Sequence, residues 1–229
     1  MTNGRSKFLA LAFLALSSLT LLSSTGCAGA LMMPYYLIYG TDAPAIHQDV
    51  MKEVRKESKV VVICRSNLNL FGSANPAPDL ATGVTYVVSN NLKDKKKKKL
   101  EWIPFTKVED LFDEEEFKNT SFEKMGAAVG ADYVVGIEID SFETRHSSQF
   151  YQGSSKVLVR FIDVENQETL FRESMPQFTY PPTPVPVSDY QEEEFQKLYI
   201  VKLSKQIATL MCPYDAHDQY AQDSDFPNR

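Results

Sequence analysis

Residues 121 to 142 read SFEKMGAAVGADYVVGIEIDSF, and this stretch decides the fold. Thr120-Ser121-Phe122-Glu123 matches a capping box, in which a hydroxyl and a glutamate satisfy the free amides of a helix start. The helix is expected to run to Val129, and Gly130 supplies the left-handed residue that ends it. Tyr133 to Asp140 then alternates: Tyr133, Val135, Ile137 and Ile139 share one face, while Glu138 and Asp140 share a wetter one. A capped helix, a tight turn and a strand follow one another in short order.

Working outward, Val60-Val61-Val62-Ile63 inside Lys59 to Cys64 is an unbroken β-branched run, the pattern of a central strand buried on both faces. Before it, His47 to Glu57 reads as a helix or an extended approach. Ser66 to Pro78 reads as a loop, Asp79 to Lys95 as a helix, and Leu100 to Pro104 as a short strand carrying the single tryptophan, Trp102. Thr106 to Glu116 reads as a turn and a short acidic helix that buries Val108, Leu111 and Phe112. Val157, Val159 and Phe161 repeat the strand alternation after a long polar connection, Ser141 to Ser155. Asp163 to Asn166 turns into a further strand, Glu168 to Tyr180, giving a three-stranded antiparallel meander. Pro181, Pro182, Pro184 and Pro186 are expected to stiffen a crossing segment, and Ser188 with Gln191 to cap a long last helix. That helix places Glu192, Glu193 and Glu194 first and Lys197, Lys202 and Lys205 later, as the helix dipole favours, with Phe195, Tyr199, Leu203, Ile207 and Leu210 as its buried stripe. The expected fold is α/β (α+β): a single mixed sheet with an antiparallel meander, flanked by helices.

The amino-terminal residues give an address. Arg5 and Lys7 precede an apolar run from Phe8 to Leu22, and Ser24-Thr25-Gly26-Cys27 follows. That order suits a signal peptide whose cut leaves Cys27 first, with its thiol free for lipid attachment. Ser24 stands where leucine is usual, with Leu21 and Leu22 slightly early. Two rivals stay open. A cut after Ala28-Gly29-Ala30 would leave a secreted soluble protein, and an uncleaved anchor would need a clean span of about 20 apolar residues, which the serines and threonines interrupt. The expected organisation is residues 1–26 signal peptide, 27–45 lipid anchor and membrane-proximal tether, 46–214 α/β domain, and 215–229 acidic disordered tail. Tyr35, Tyr36 and Tyr39 would lie beside the bilayer, where tyrosine rings favour the boundary, or pack on the domain or a neighbour. Ala28 is not the aspartate that retains lipoproteins in the inner membrane, so an outer-membrane lipoprotein facing the periplasm is expected.

The 229-residue chain carries a formal charge of -6, and loss of Arg5 and Lys7 would make it two units more negative. An acidic chain argues against nucleic acid, and Lys95 to Lys99 reads as a solvated turn. Three cysteines do not make a disulfide framework; Cys64 reads as a small buried hydrophobe, and its pairing with Cys212 is left open.

The stretch quoted above, with Val157 to Asp163 and the turn into Glu168-Thr169-Leu170, resembles a pattern in bacterial envelope lipoproteins. That group includes the curli-secretion channel lipoprotein, the lipoprotein activator of penicillin-binding proteins and a lipoprotein of exopolysaccharide export, whose shared domain is similar to the amino-terminal domain of the Tol translocation protein. The most telling part is Gly130-Ala131-Asp132-Tyr133-Val134-Val135-Gly136. The resemblance implies a sheet flanked by helices and a role in the envelope. A pore-forming member needs hairpins with strands of about 9 to 11 residues, and Glu143 to Ser155 reads as short and polar. A member that reaches across the cell wall needs a long tether, and Thr41 to Ala45 is short.

No catalytic constellation is legible. His47, His146 and His217 lie in separate segments, and the glutamate runs 114–116 and 192–194 read as solvated helix faces rather than an acid-base pair. No nucleophile elbow or phosphate-binding glycine loop occurs. The expectation is therefore no enzyme, no cofactor and no metal. It is a lipid-anchored, periplasm-facing binding or assembly accessory protein with an envelope protein or a second copy as partner. The alternative is a ring-forming component of an outer-membrane secretion or polysaccharide-export complex. Candidate contacts are Tyr35, Tyr36, Tyr39, Phe150, Tyr151 and Tyr190.

Overall fold

The computed structural model describes residues 42–66, 75–93 and 99–215. The signal peptide, Cys27, Tyr35, Tyr36, Tyr39, most of the lysine run, His217 and the tail beyond Asp215 lie outside the described residues.

The elements follow as β1 (Asp42–Ala43), α1 (Gln48–Glu53), β2 (Glu57–Ser66), α2 (Ala77–Lys93), β3 (Lys99–Ile103), α3 (Thr106–Glu109), α4 (Glu114–Asn119), α5 (Phe122–Ala128), β4 (Tyr133–Arg145), β5 (Phe150–Asp163), β6 (Glu168–Ser174), β7 (Phe178–Pro186), α6 (Glu192–Ala208) and β8 (Tyr214–Asp215). One open mixed sheet runs β3-β2-β4-β5-β6, with β7 also paired to β5. β2 is parallel to both β3 and β4, and β5 runs antiparallel to β4, β6 and β7. Val60 to Cys64 are all buried, as a strand with a neighbour on each edge and helices on each face requires.

Alternation sorts the two faces. Gly136 lies under the Phe122 ring, where an added Cβ would come within 2.7 Å, so α5 covers the face of Val134, Gly136 and Glu138. The opposite face, with Val135, Ile137, Val159 and Phe161, is buried beneath the layer of α2 and α6. Gly83 lets those two helices close on each other: an added Cβ would meet Ser204 Oγ at 2.4 Å. The buried stripe of α6 is as expected, with Phe195, Tyr199, Leu203 and Ile207 at 0% exposure.

Several sequence expectations are corrected. Ser121, not Thr120, caps α5, its hydroxyl accepting from the Lys124 amide at 3.4 Å; Thr120 is the C-cap of α4. Leu111, expected in the core, is 54% exposed, because α3 is a single turn and the chain leaves it before Leu111 can fold under. The polar connection Ser141 to Ser155 is mostly strand: β4 continues to Arg145 and β5 begins at Phe150. The proline segment does not cross the domain but forms β7, on an edge of the sheet where a missing N–H is tolerated. Gln191, not Ser188, precedes α6, and its amide donates to Glu194 Oε2 at 3.4 Å. Asp42–Ala43, expected within the tether, pair with Tyr214–Asp215. Cys64 and Cys212 are both buried and are not joined in a disulfide.

Candidate partner-contact surface

Beyond Ile139, where pairing with β2 ends at Ser66, β4 continues beside β5 and β7 as a three-stranded extension of the sheet. Its residues alternate by burial: Tyr151, Gly153 and Ser155 turn inward, while Phe150, Gln152 and Ser154 turn to the other face. The inward face packs on the amino-terminal half of α6. Tyr151, Tyr180, Val185, Phe195 and Tyr199 form a cluster there, separate from the main core, with Phe142, Phe178 and Tyr190 packed against it.

Gly153 permits this packing, since an added Cβ would lie 2.0 Å from the Tyr199 ring. The Tyr199 hydroxyl donates to Ser155 Oγ at 2.7 Å or the Phe178 carbonyl at 3.0 Å, and burial pushes its pKa well above the usual phenol range. Tyr151 stacks on Phe195 with ring centroids 5.0 Å apart, and the Arg145 guanidinium lies 5.2 Å above the Tyr151 ring. Arg145 also pairs with Glu192 in the first turn of α6. Its hydrogen bond holds the Glu192 carboxyl below the ordinary carboxylate range. At the irregularity between Tyr151 and Gly153, the Gln152 amide donates to the Pro181 and Pro182 carbonyls, at 2.9 and 3.2 Å.

The three described candidate contacts therefore separate. Tyr151 is 3% exposed and belongs to the core, so it cannot meet a partner directly. Tyr190 is half-buried, edge-on to Phe195 with centroids 6.5 Å apart, on the α6 side. Phe150 is 38% exposed and, by alternation, on the opposite face of the extension.

Among the described residues, Cys64, His47 and His146 lie in separate surroundings. Cys64 is fully buried, and burial drives its thiol far above the range of a reactive thiolate. His47 stacks on Phe171 at 4.3 Å with Nε2 3.5 Å from Glu173, whereas His146 is exposed in the β4–β5 turn. Among the described residues, no three His, Cys, Asp or Glu side chains gather to hold a metal ion. A mainly apolar cavity of about 250 Å³ opens at the carboxyl end of β2, lined by Cys64, Phe105, Phe112 and Phe117 with Glu109 and Lys118. Burial first, and Asp110 second, raise the Glu109 carboxyl above its ordinary pKa. Sequence reading missed one polar site: Glu138, expected on a wetter face, is 14% exposed and bound by Arg65 at 2.6 Å and Arg160 at 2.8 Å. The signal was Arg65 and Arg160 at strand positions that share that face.

Comparison with known proteins gives no family assignment. No protein family matches the sequence, and no curated protein is similar to it. Similar solved structures include the lipoprotein GNA1162 of Neisseria meningitidis, at 16% identity and a TM-score of 0.37, covering 67% of this chain and 99% of that one. A PelC dodecamer of Paraburkholderia phytofirmans is similar at 12% identity and TM-score 0.38, over 75% and 95% of the two chains. The LpoB carboxyl-terminal domain of Escherichia coli is similar at 15% identity and TM-score 0.31, over 57% and 93%. None of the three reaches a TM-score of 0.5, and what each does is a property of that protein.

Proposed function

We propose that this chain is a lipid-anchored accessory protein of the bacterial cell envelope, held at the outer membrane through Cys27, facing the periplasm and acting by binding rather than by catalysis. The observation that carries the reading is the order Arg5, Lys7, Phe8 to Leu22 and Cys27, which suits a cleaved and acylated leader. A single acyl chain gives only marginal membrane binding, so stable anchoring takes more than one chain or a second signal. The aromatic strip Tyr35, Tyr36 and Tyr39 would supply such a signal next to the anchor.

The contact surface in this reading is the tip of the three-stranded extension, where Phe150 is exposed on one face and Tyr190 half-exposed on the other. Aromatic side chains on a rigid β-framework give contact area at little entropic cost. The partner is an envelope protein or a second copy.

The test is mass spectrometry of the protein recovered from membranes, wild type against Cys27→Ser. A diacylated amino-terminal peptide beginning at Cys27, lost in the variant, is expected. A lipid-free mature chain beginning at Leu31 would contradict the anchored reading and make the protein a secreted one.

A further inference from the structure

On the face of the sheet that α5 only partly covers, four charged side chains stand in a row across four strands. Arg65 on β2 is in register with Glu138 on β4; Arg160 on β5 is in register with Gly136, one step along β4; and Arg172 on β6 is directly opposite Arg160. Residues opposite each other in an antiparallel pair share a face and nearly touch at Cβ, so like charges there repel. The signs across the row run plus, minus, plus, plus.

Glu138 bridges the first two cations with a single negative charge. Arg65 Nη2 donates to Oε1 at 2.6 Å and Arg160 Nη2 to Oε2 at 2.8 Å, while Arg65 Nη1 donates to the Thr120 carbonyl at 3.0 Å. The Phe122 ring lies beneath both guanidinium groups, 4.3 Å from Arg65 Cζ and 6.0 Å from Arg160 Cζ. That arrangement fixes Arg160 in place and leaves its Nε–H buried with no acceptor among the described residues. Arg172 is exposed and makes no ion pair among the described residues. The two further charges on that face, exposed Lys156 on β5 and exposed Asp140 on β4, offset each other. A chain with a net charge of -6 thus sets three arginines and one glutamate in a single row.

We propose that Arg160 and Arg172 form a binding site for a phosphate oxyanion. Such an anion, seated between the two guanidinium groups, completes the alternation of charge along the row and relieves the cross-strand repulsion. Guanidinium forks match phosphate oxygens in pairs, which a chloride ion cannot use. The row carries two uncompensated positive charges, and a phosphate group at neutral pH supplies about -1.5 to -2, whereas a carboxylate supplies half as much. Phe122 walls the site from below, and Arg65, locked between Glu138 and Thr120, keeps Glu138 from turning toward Arg172.

The experiment is a titration of the full-length chain with inorganic phosphate at fixed ionic strength, followed by calorimetry, on wild type, Arg172→Gln and the charge-matched control Lys197→Gln at an exposed position of α6. Saturable binding is expected in wild type and the control, weakened at least about tenfold in Arg172→Gln. Because Arg172 is exposed and faces a like charge, that variant keeps its fold, and its melting temperature is expected to equal or exceed that of wild type. No saturable binding to wild type, or equal binding by Arg172→Gln, overturns the site. Flotation with phosphatidic acid vesicles, whose headgroup is a phosphomonoester like the free ion, then identifies the source. Vesicle binding that inorganic phosphate competes away, and that Arg172→Gln loses, assigns the site to a lipid headgroup; phosphate binding without vesicle binding assigns it to free phosphate.

Discussion

The sheet has two regions built by different rules. Around Val60 to Cys64 of β2 and Tyr133 to Ile137 of β4 it is covered on both faces, by α2 and α6 on one side and α5 on the other, and every one of those residues is buried. In the extension of β4, β5 and β7, the buried cluster among the described residues lies on the face toward α6, and four of its five members are aromatic. A doubly covered strand announces itself as a continuous hydrophobic run, whereas a singly covered one needs only every second residue. The extension departs even from that pattern, because its inward positions include Gly153 and Ser155, small residues that make room for the ring and hydroxyl of Tyr199.

This contrast makes separable predictions. Phe161→Ala, which removes a ring stacked on Tyr133 and near Phe171 in the main core, is expected to lower global stability by about 3–5 kcal/mol in urea denaturation. Phe195→Ala removes a comparable ring from the extension and is expected to act locally. Equal loss of protection over both regions would break the distinction.

Gly153→Ala is expected to cost about 1–3 kcal/mol, since the new methyl group drives Tyr199 off the strand. A mutational effect below a few tenths of a kcal/mol would show that Tyr199 has space to move. Tyr199→Phe keeps the ring and removes the hydroxyl that reaches Ser155 and Phe178, at an expected cost of about 1–2 kcal/mol by thermal melting. The smallest effect is a pH dependence. Glu192 has a folded pKa below its unfolded value, so its tie to Arg145 contributes stability above the ordinary carboxylate range and loses it as pH falls through the folded pKa. Both partners are about half exposed, so the acid limb of a stability–pH curve should flatten only slightly in Glu192→Gln.

The same contrast explains what was legible in the sequence. Val60 to Ile63, the Gly130 turn and the stripe of α6 could be read directly, because burial on regular periods leaves few alternatives. The extension could not. Ser141 to Ser155 has the composition of a loop, and the residue that makes Gly153 and Ser155 an interior, Tyr199, lies more than 40 positions later. The prolines of β7 read as a stiff crossing segment for the same reason: an edge position, which tolerates them, is a property of the assembled sheet. Of the adjacent candidate contacts Phe150 and Tyr151, strand alternation leaves the first facing out and turns the second inward, which the loop-like composition did not reveal. Arg172 gave no sign in sequence of standing against Arg160, since register is set only once β5 and β6 pair.

Hydrogen exchange of the full-length chain carrying Phe195→Ala tests the central contrast most directly. The account predicts exchange faster by at least about tenfold in the amides of residues 142–155 and 178–187, with β2 and residues 133–139 protected as in wild type. Acceleration by the same factor throughout the sheet would contradict it, and would make the extension and the core one cooperative unit.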